Sequence, residues 1–241
     1  TSGEIFAGRR TSDVECCIDR VKLLYPEAKL FWVGFSLGAA LTLQYVATPH
    51  ANTQTKATKD ASSGEEKWNG PLTAAVSVCP PWDVYMNACN PSSIAYFWMS
   101  LIVAPLKAHY LGHRSYLNSI QPERFGVVSL WDILWAPSMC DFDNLIYPTH
   151  LRADGTRYET LKCYYDDVSP VHCAHLVHTP TIVLTAKDDP VCMHQAAPTD
   201  PAQLGPGLVV VSCNNAGFVL SHIYVLNHYA PEVKTIIYIY L

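Results

Sequence analysis

Gly34, Phe35, Ser36, Leu37 and Gly38 form a G-x-S-x-G run. It lies between a short apolar stretch, Leu30 to Val33, and a helix-favouring one that continues to Ala47. Strand, turn and helix in that order are the setting in which a serine is presented as a nucleophile. The hydroxyl must project from a sharp turn, and a side chain two residues to either side would run into neighbouring backbone. Glycine at both flanking positions removes that obstacle. The N–H of Leu37, at the helix start, then points toward the oxyanion formed when Ser36 attacks a carbonyl. A plain strand-to-helix turn with serine as N-cap uses similar residues, but the flanking strand and helix favour the nucleophile.

Other elements must hold that turn in place. Ser12-Asp13-Val14-Glu15 has the pattern of a capping box. Val14, Cys17, Ile18, Val21 and Leu24 then fall on one helical face, and the helix should end by Tyr25-Pro26. Residues 48–70 are polar and turn-rich, as in a surface loop. Three further apolar runs have strand length: Leu72 to Cys79, Pro180 to Ala186 and Gly207 to Ser212. They are apolar on both faces, which predicts a parallel sheet covered by helices. The roughly 100 residues between the first and second of these runs show no clear strand. They include Tyr96-Phe97-Trp98-Met99 and several prolines, and residues 84–145 are best read as a helical cap inserted into the domain.

Composition narrows the classes. The chain has 241 residues, 49% of them hydrophobic and 15% charged, which suits a globular chain with a sizeable core, of one domain or at most two. A net charge of −5 with no basic cluster argues against nucleic-acid binding. Nine cysteines are scattered without C-x-x-C or zinc spacing, the pattern of free thiols in a reducing compartment. The longest apolar stretch, Ala95 to Leu106, is broken by Ser100 and Pro105 and is too short to span a bilayer. His172, His175 and His178, with Cys173 among them, are spaced so that a helix would align them. No carboxylate motif accompanies them, so neither a metal nor a cofactor is expected.

Several motifs in order along the chain resemble the α/β-hydrolase superfamily, and within it the abhydrolase-domain type 4 family of serine esterases and phospholipases. They are Tyr25-Pro26, the elbow at 34–38, Pro81-Trp82-Asp83, Phe142-Asp143, Tyr164-Tyr165 with Ser169, and Ala186-Lys187-Asp188-Asp189-Pro190. The resemblance implies a parallel-sheet α/β-hydrolase fold with a helical insertion. It also implies that the first strands and one oxyanion-donating loop lie upstream of Thr1, leaving residues 1–241 as a single partial domain. The Leu-Phe-Trp-Val strand should then show an unpaired edge, and an upstream segment could supply a membrane anchor. A cytoplasm-facing or membrane-associated location follows more readily than secretion.

By that resemblance Asp189 is the acid that orients a general base, with Asp188 solvated beside it, while Asp83 and Asp143 serve turns and packing. The superfamily order is Ser, Asp, His. The family's histidine falls in a G-G-H-x-G-F turn, and here Cys213-Asn214-Asn215-Ala216-Gly217-Phe218 puts Asn215 in its place. A carboxamide does not titrate near neutrality and cannot take the serine proton. His222 is the nearest downstream substitute and His228 the next. His194 follows the acid turn too closely to face Ser36. Two readings result. One is a serine carboxylic-ester hydrolase acting on an acyl ester or lipid, with Ser36 as nucleophile and Leu37 N–H in the oxyanion hole. The other is a catalytically impaired relative that binds a ligand, or an incomplete version of an active hydrolase.

Overall fold

The computed structural model describes residues 8–53, 58–59, 66–67, 70–89, 93–147, 157–214 and 237–238. These fall into two compact units. One is built on residues 83–167, the other on residues up to 82 and from 168 onward.

The second unit carries a parallel sheet. Its strands are β1 (Phe31–Phe35), β2 (Ala74–Val78), β3 (Thr181–Ala186), β4 (Leu208–Cys213) and β5 (Ile237–Tyr238), in the order β4-β3-β2-β1-β5. β1 and β2 pair in register from Phe31↔Ala74 to Phe35↔Val78, and β3 and β4 from Thr181↔Leu208 to Ala186↔Cys213. The apolar runs therefore become adjacent strands, as expected of chain that cannot expose both faces. Trp32, Ala75, Val183 and Leu208 pack with Leu41, Leu43 and Val46 of helix α2 (Leu37–Val46) in one core. The opposite face is barer than the both-sides-apolar pattern predicts. Ile182, Val209 and Val211 are 43%, 57% and 41% exposed.

Helix α1 (Ser12–Leu24) forms where its periodicity places it, with a different cap. Thr11, not Ser12, is the N-cap, and its hydroxyl donates to Glu15 Oε1 at 3.1 Å. Val14 and Ile18 are buried, whereas Leu24 is exposed, because the last turn runs past the core.

The expected bare edge of β1 is also corrected. Trp32 and Val33 pair in parallel with Ile237 and Tyr238, so β-prone residues near the C-terminus occupy that edge.

Between β2 and β3 the chain is helical. Val84–Cys89 precedes α3 (Ser93–Ile120), and α4 (Leu130–Trp135), α5 (Met139–Ile146) and α6 (Leu161–Val168) follow. α3 continues through Pro105, which interrupts the apolar run in the sequence but not the helix. Val103, Tyr110 and Leu117, one every seven residues, pack on Phe125, Ile133, Phe142 and Ile146. This apolar seam explains how the helix survives a residue that removes a backbone donor. Among the described residues no helix is long and apolar enough to cross a membrane. At the base of the insertion Val171 N–H donates to the Trp82 carbonyl at 3.0 Å.

The expectation of free thiols holds for seven cysteines and fails for two. Cys89 and Cys140 form a disulfide, with Cα atoms 5.3 Å apart across a sequence separation of 51. Spacing along the chain could not reveal this pair, because helix packing brings its members within bridging range.

Candidate active site

Ser36 joins β1 to α2 with φ 51 and ψ −119, a left-handed backbone that L-residues rarely adopt. Backbone bonds hold it there. Its N–H donates to Val78 O at 2.9 Å, and its carbonyl accepts from Ala39 N–H at 2.9 Å and Ala40 N–H at 3.1 Å. A Cβ on Gly34 would overlap Thr42 Oγ1 and the Gly38 carbonyl, so no other residue fits at that position. Thr42 Oγ1 donates to that carbonyl at 2.8 Å and Ser77 Oγ to Ala39 O at 3.1 Å, fastening the buried helix to the neighbouring strand. Arg9 Nη1 satisfies buried Gln44 Oε1 at 3.0 Å. Leu37 opens α2 with its side chain 44% exposed. A first-turn N–H has no acceptor within its own helix, so Leu37 carries the kind of donor an oxyanion hole requires.

Asp189 lies just beyond the carboxyl end of β3, one strand removed from β1. It is half-buried, and Asp188 is exposed. Its Oδ1 accepts from Val191 N–H at 2.8 Å and Cys192 N–H at 2.9 Å, closing a tight turn. Cys192, 3% exposed, stands on this turn, its N–H held by Asp189 Oδ1. Burial pushes the Cys192 thiol well above its usual pKa, and the Asp189 charge and Cys79 push the same way. Ser36 and Asp189 each follow the carboxyl end of a strand in the same parallel sheet, the edge where open α/β sheets gather ligands. Cys79, at the end of β2, shares this neighbourhood.

No protein-family profile matches the chain. It is 25% identical over 211 residues to the Medium-chain fatty acid ethyl ester synthase/esterase 2 of Saccharomyces cerevisiae, covering 79% of this chain and 41% of that protein. It is 25% identical over 223 residues to a Monoacylglycerol lipase of the same yeast, covering 91% and 44%. Against the Monoacylglycerol lipase ABHD2 of Mus musculus it is 25% identical over 211 residues, covering 85% and 44%. The chain is thus similar over most of its length to curated esterases and lipases, and its parallel sheet with flanking helices is of the α/β-hydrolase fold class. It spans less than half the length of the curated relatives it matches.

The remaining motif residues take structural places. Asp83 Oδ1 accepts from Met86 N–H at 2.8 Å and opens the helix that follows. Asp143 is buried on α5, where Tyr165 OH donates to its Oδ2 at 2.5 Å, and burial raises its carboxyl to about 7. His172 and His175 sit in successive 3-10 turns, and His194 begins another behind Asp189. Asn215, His222 and His228 lie outside the described residues.

Sequence reasoning passed over Cys192 and Cys79. Each stands directly behind a recognised feature, the D-D-P turn and the second strand, and that proximity was the available signal.

Proposed function

We propose that the chain is the nucleophile- and acid-bearing portion of a serine carboxylic-ester hydrolase of the abhydrolase type 4 kind, acting on an acyl ester or lipid. The left-handed backbone of Ser36 at a Gly34-to-Gly38 turn carries this reading, because such a turn leaves a hydroxyl at the rim of the sheet. Ser36 Oγ attacks the ester carbonyl, the Leu37 N–H stabilises the oxyanion, and the alcohol leaves as an acyl-enzyme forms. Water then releases the acid. Asp189 orients the base that carries the proton. His222 is the substitute base within this chain, since Asn215 stands at the family position. The relatives' names, an ester synthase/esterase and monoacylglycerol lipases, support an acyl-ester substrate.

A second reading follows from Asn215. A carboxamide there leaves the serine without the base the family uses, so the same scaffold would bind an acyl ligand without turning it over. A fluorophosphonate probe separates the two. Labelling of the folded wild type that vanishes in Ser36→Ala supports the hydrolase. Folded wild type that binds an acyl ligand yet resists the probe supports the binder.

A further inference from the structure

We infer that the helical unit docks on an anionic phospholipid surface through aromatic side chains of α3 and of the segment 127–136 that straps across it. The inference goes beyond the hydrolase reading and does not depend on Ser36. The strap is held in one orientation. Its Val128, Ile133 and Ala136 are buried in the same core as Val103, Tyr110 and Leu117 of α3. Arg114 Nη2 donates to the Val128 carbonyl at 3.2 Å, and Lys107 Nζ donates to the Leu134 carbonyl at 3.2 Å and to the Ala136 carbonyl. Both ends are thus fastened to α3, and the outer residues cannot turn inward without pulling Ile133 from the core. Val127, Trp131 and Trp135 are held outward, 75%, 65% and 76% exposed. Phe97, Trp98 and Leu101 are exposed on α3 itself. Large apolar side chains grouped in this way mark a contact surface, whereas single scattered ones do not.

Charge and side-chain chemistry select the occupant. α3 holds Lys107 and Arg114 but no Asp or Glu in its 28 residues, within a chain of net charge −5. Both cations spend these hydrogen bonds on neutral carbonyls and so keep their charge. Residues 93–106 carry no charged side chain, and Ser100 turns its hydroxyl onto the Tyr96 carbonyl at 2.9 Å. A protein partner would expect roughly one hydrogen bond per 100–200 Å² of interface, and this face offers little besides indole N–H groups. Lipid asks for something else. Tryptophan rings settle at the headgroup level of a bilayer, and basic residues beside an apolar helical stretch add attraction to anionic lipid. Asp132, the one acid within residues 127–136, opposes that attraction and is set against two cations.

The test is flotation of the whole chain with vesicles of phosphatidylcholine, alone or mixed with anionic phosphatidylglycerol. Wild type is compared with the Trp131→Ser, Trp135→Ser double variant, whose fold is checked by circular dichroism and thermal melting. Val127→Asp, at another exposed position, replaces it if the double variant is unfolded. The wild type should float with the mixed vesicles and less with phosphatidylcholine alone, and added salt should narrow that difference. The double variant should bind the mixed vesicles roughly tenfold or more weakly. Brominated acyl chains should quench tryptophan emission in the wild type and do so less in the variant. A wild type that stays unbound, or floats no better than the folded variant, overturns the inference. Equal flotation with and without phosphatidylglycerol overturns the assignment to anionic lipid. A lipid-independent dimer that the variant loses, without flotation, gives the face to a second copy of the chain instead.

Discussion

Ser36 and Cys79 leave neighbouring parallel strands side by side with nearly the same left-handed backbone, φ 51 and φ 50. Each leans on the strand beyond its own: Ser36 N–H donates to Val78 O at 2.9 Å and Cys79 N–H to Leu184 O at 2.8 Å. Such a conformation costs a non-glycine residue on the order of 1–2 kcal/mol. The sheet thus concentrates strain at its carboxyl edge, where a projecting side chain is wanted.

The turn tolerates nothing larger than glycine at its entry. Gly34→Ala places a methyl group on the Thr42 hydroxyl and the Gly38 carbonyl, both fixed by the buried helix. Stability to urea should fall by about 1–3 kcal/mol, the usual cost of overpacking, and more if the helix must move. Fluorophosphonate labelling of Ser36 should fall with it. An unchanged midpoint would show that the turn relaxes freely.

Asp143 should make the helical unit less stable as pH rises. Burial holds its folded-state pKa near 7 against an ordinary 3.8, with the Tyr165 hydrogen bond only partly offsetting this. The native state keeps a proton that the unfolded chain releases, so this contribution is full below pH 4 and is lost as pH rises to about 7. The loss is on the order of 2–4 kcal/mol. Urea melts of wild type and Asp143→Asn from pH 4 to 8 check it: the wild type should weaken relative to the variant across that range. Parallel curves would mean that folding leaves the Asp143 pKa unchanged.

The Cys89–Cys140 bond should be worth more than any single surface contact in the same unit. A bridge across a separation of 51 restricts the unfolded chain, which typically contributes about 2–4 kcal/mol. Cys89→Ser, or mild reduction, should lower the melting temperature and speed amide exchange in Val84–Cys89 and α5. Reduction should leave the Cys89→Ser protein unaffected. A wild type indifferent to reductant would show that the bridge adds nothing.

The β1 edge depends on two residues. Ile237→Pro removes a ladder donor from β5. Amides of Trp32 and Val33 should exchange faster, and the exposed edge should drive self-association visible in sedimentation velocity. A monomeric variant with unchanged exchange would show that Ile237 does not guard that edge.

The strands and the elbow were legible because their signals are local. Apolar runs such as Pro180 to Ala186 and the glycines around Ser36 owe their conformations to near neighbours in sequence. What stayed hidden depended on contacts distant along the chain. The Cys89–Cys140 bridge, the α3 seam that carries Pro105 and the two-residue β5 all arise from packing. Cys192 belongs with these: its nearness to Asp189 along the chain could be read from the sequence, its burial could not. Even α1, whose period was plain, is capped by Thr11 instead of Ser12, since two neighbouring hydroxyl residues both suit an N-cap.

The hydrogen bond from Val171 to Trp82 means that the polypeptide departs from the sheet and returns to it at one doorway. Between them lies a detour of more than 80 residues, most of which forms a compact unit of its own. A short glycine-serine bridge across that doorway could replace the detour, and detours of other lengths could be grafted there without rethreading β1 to β4.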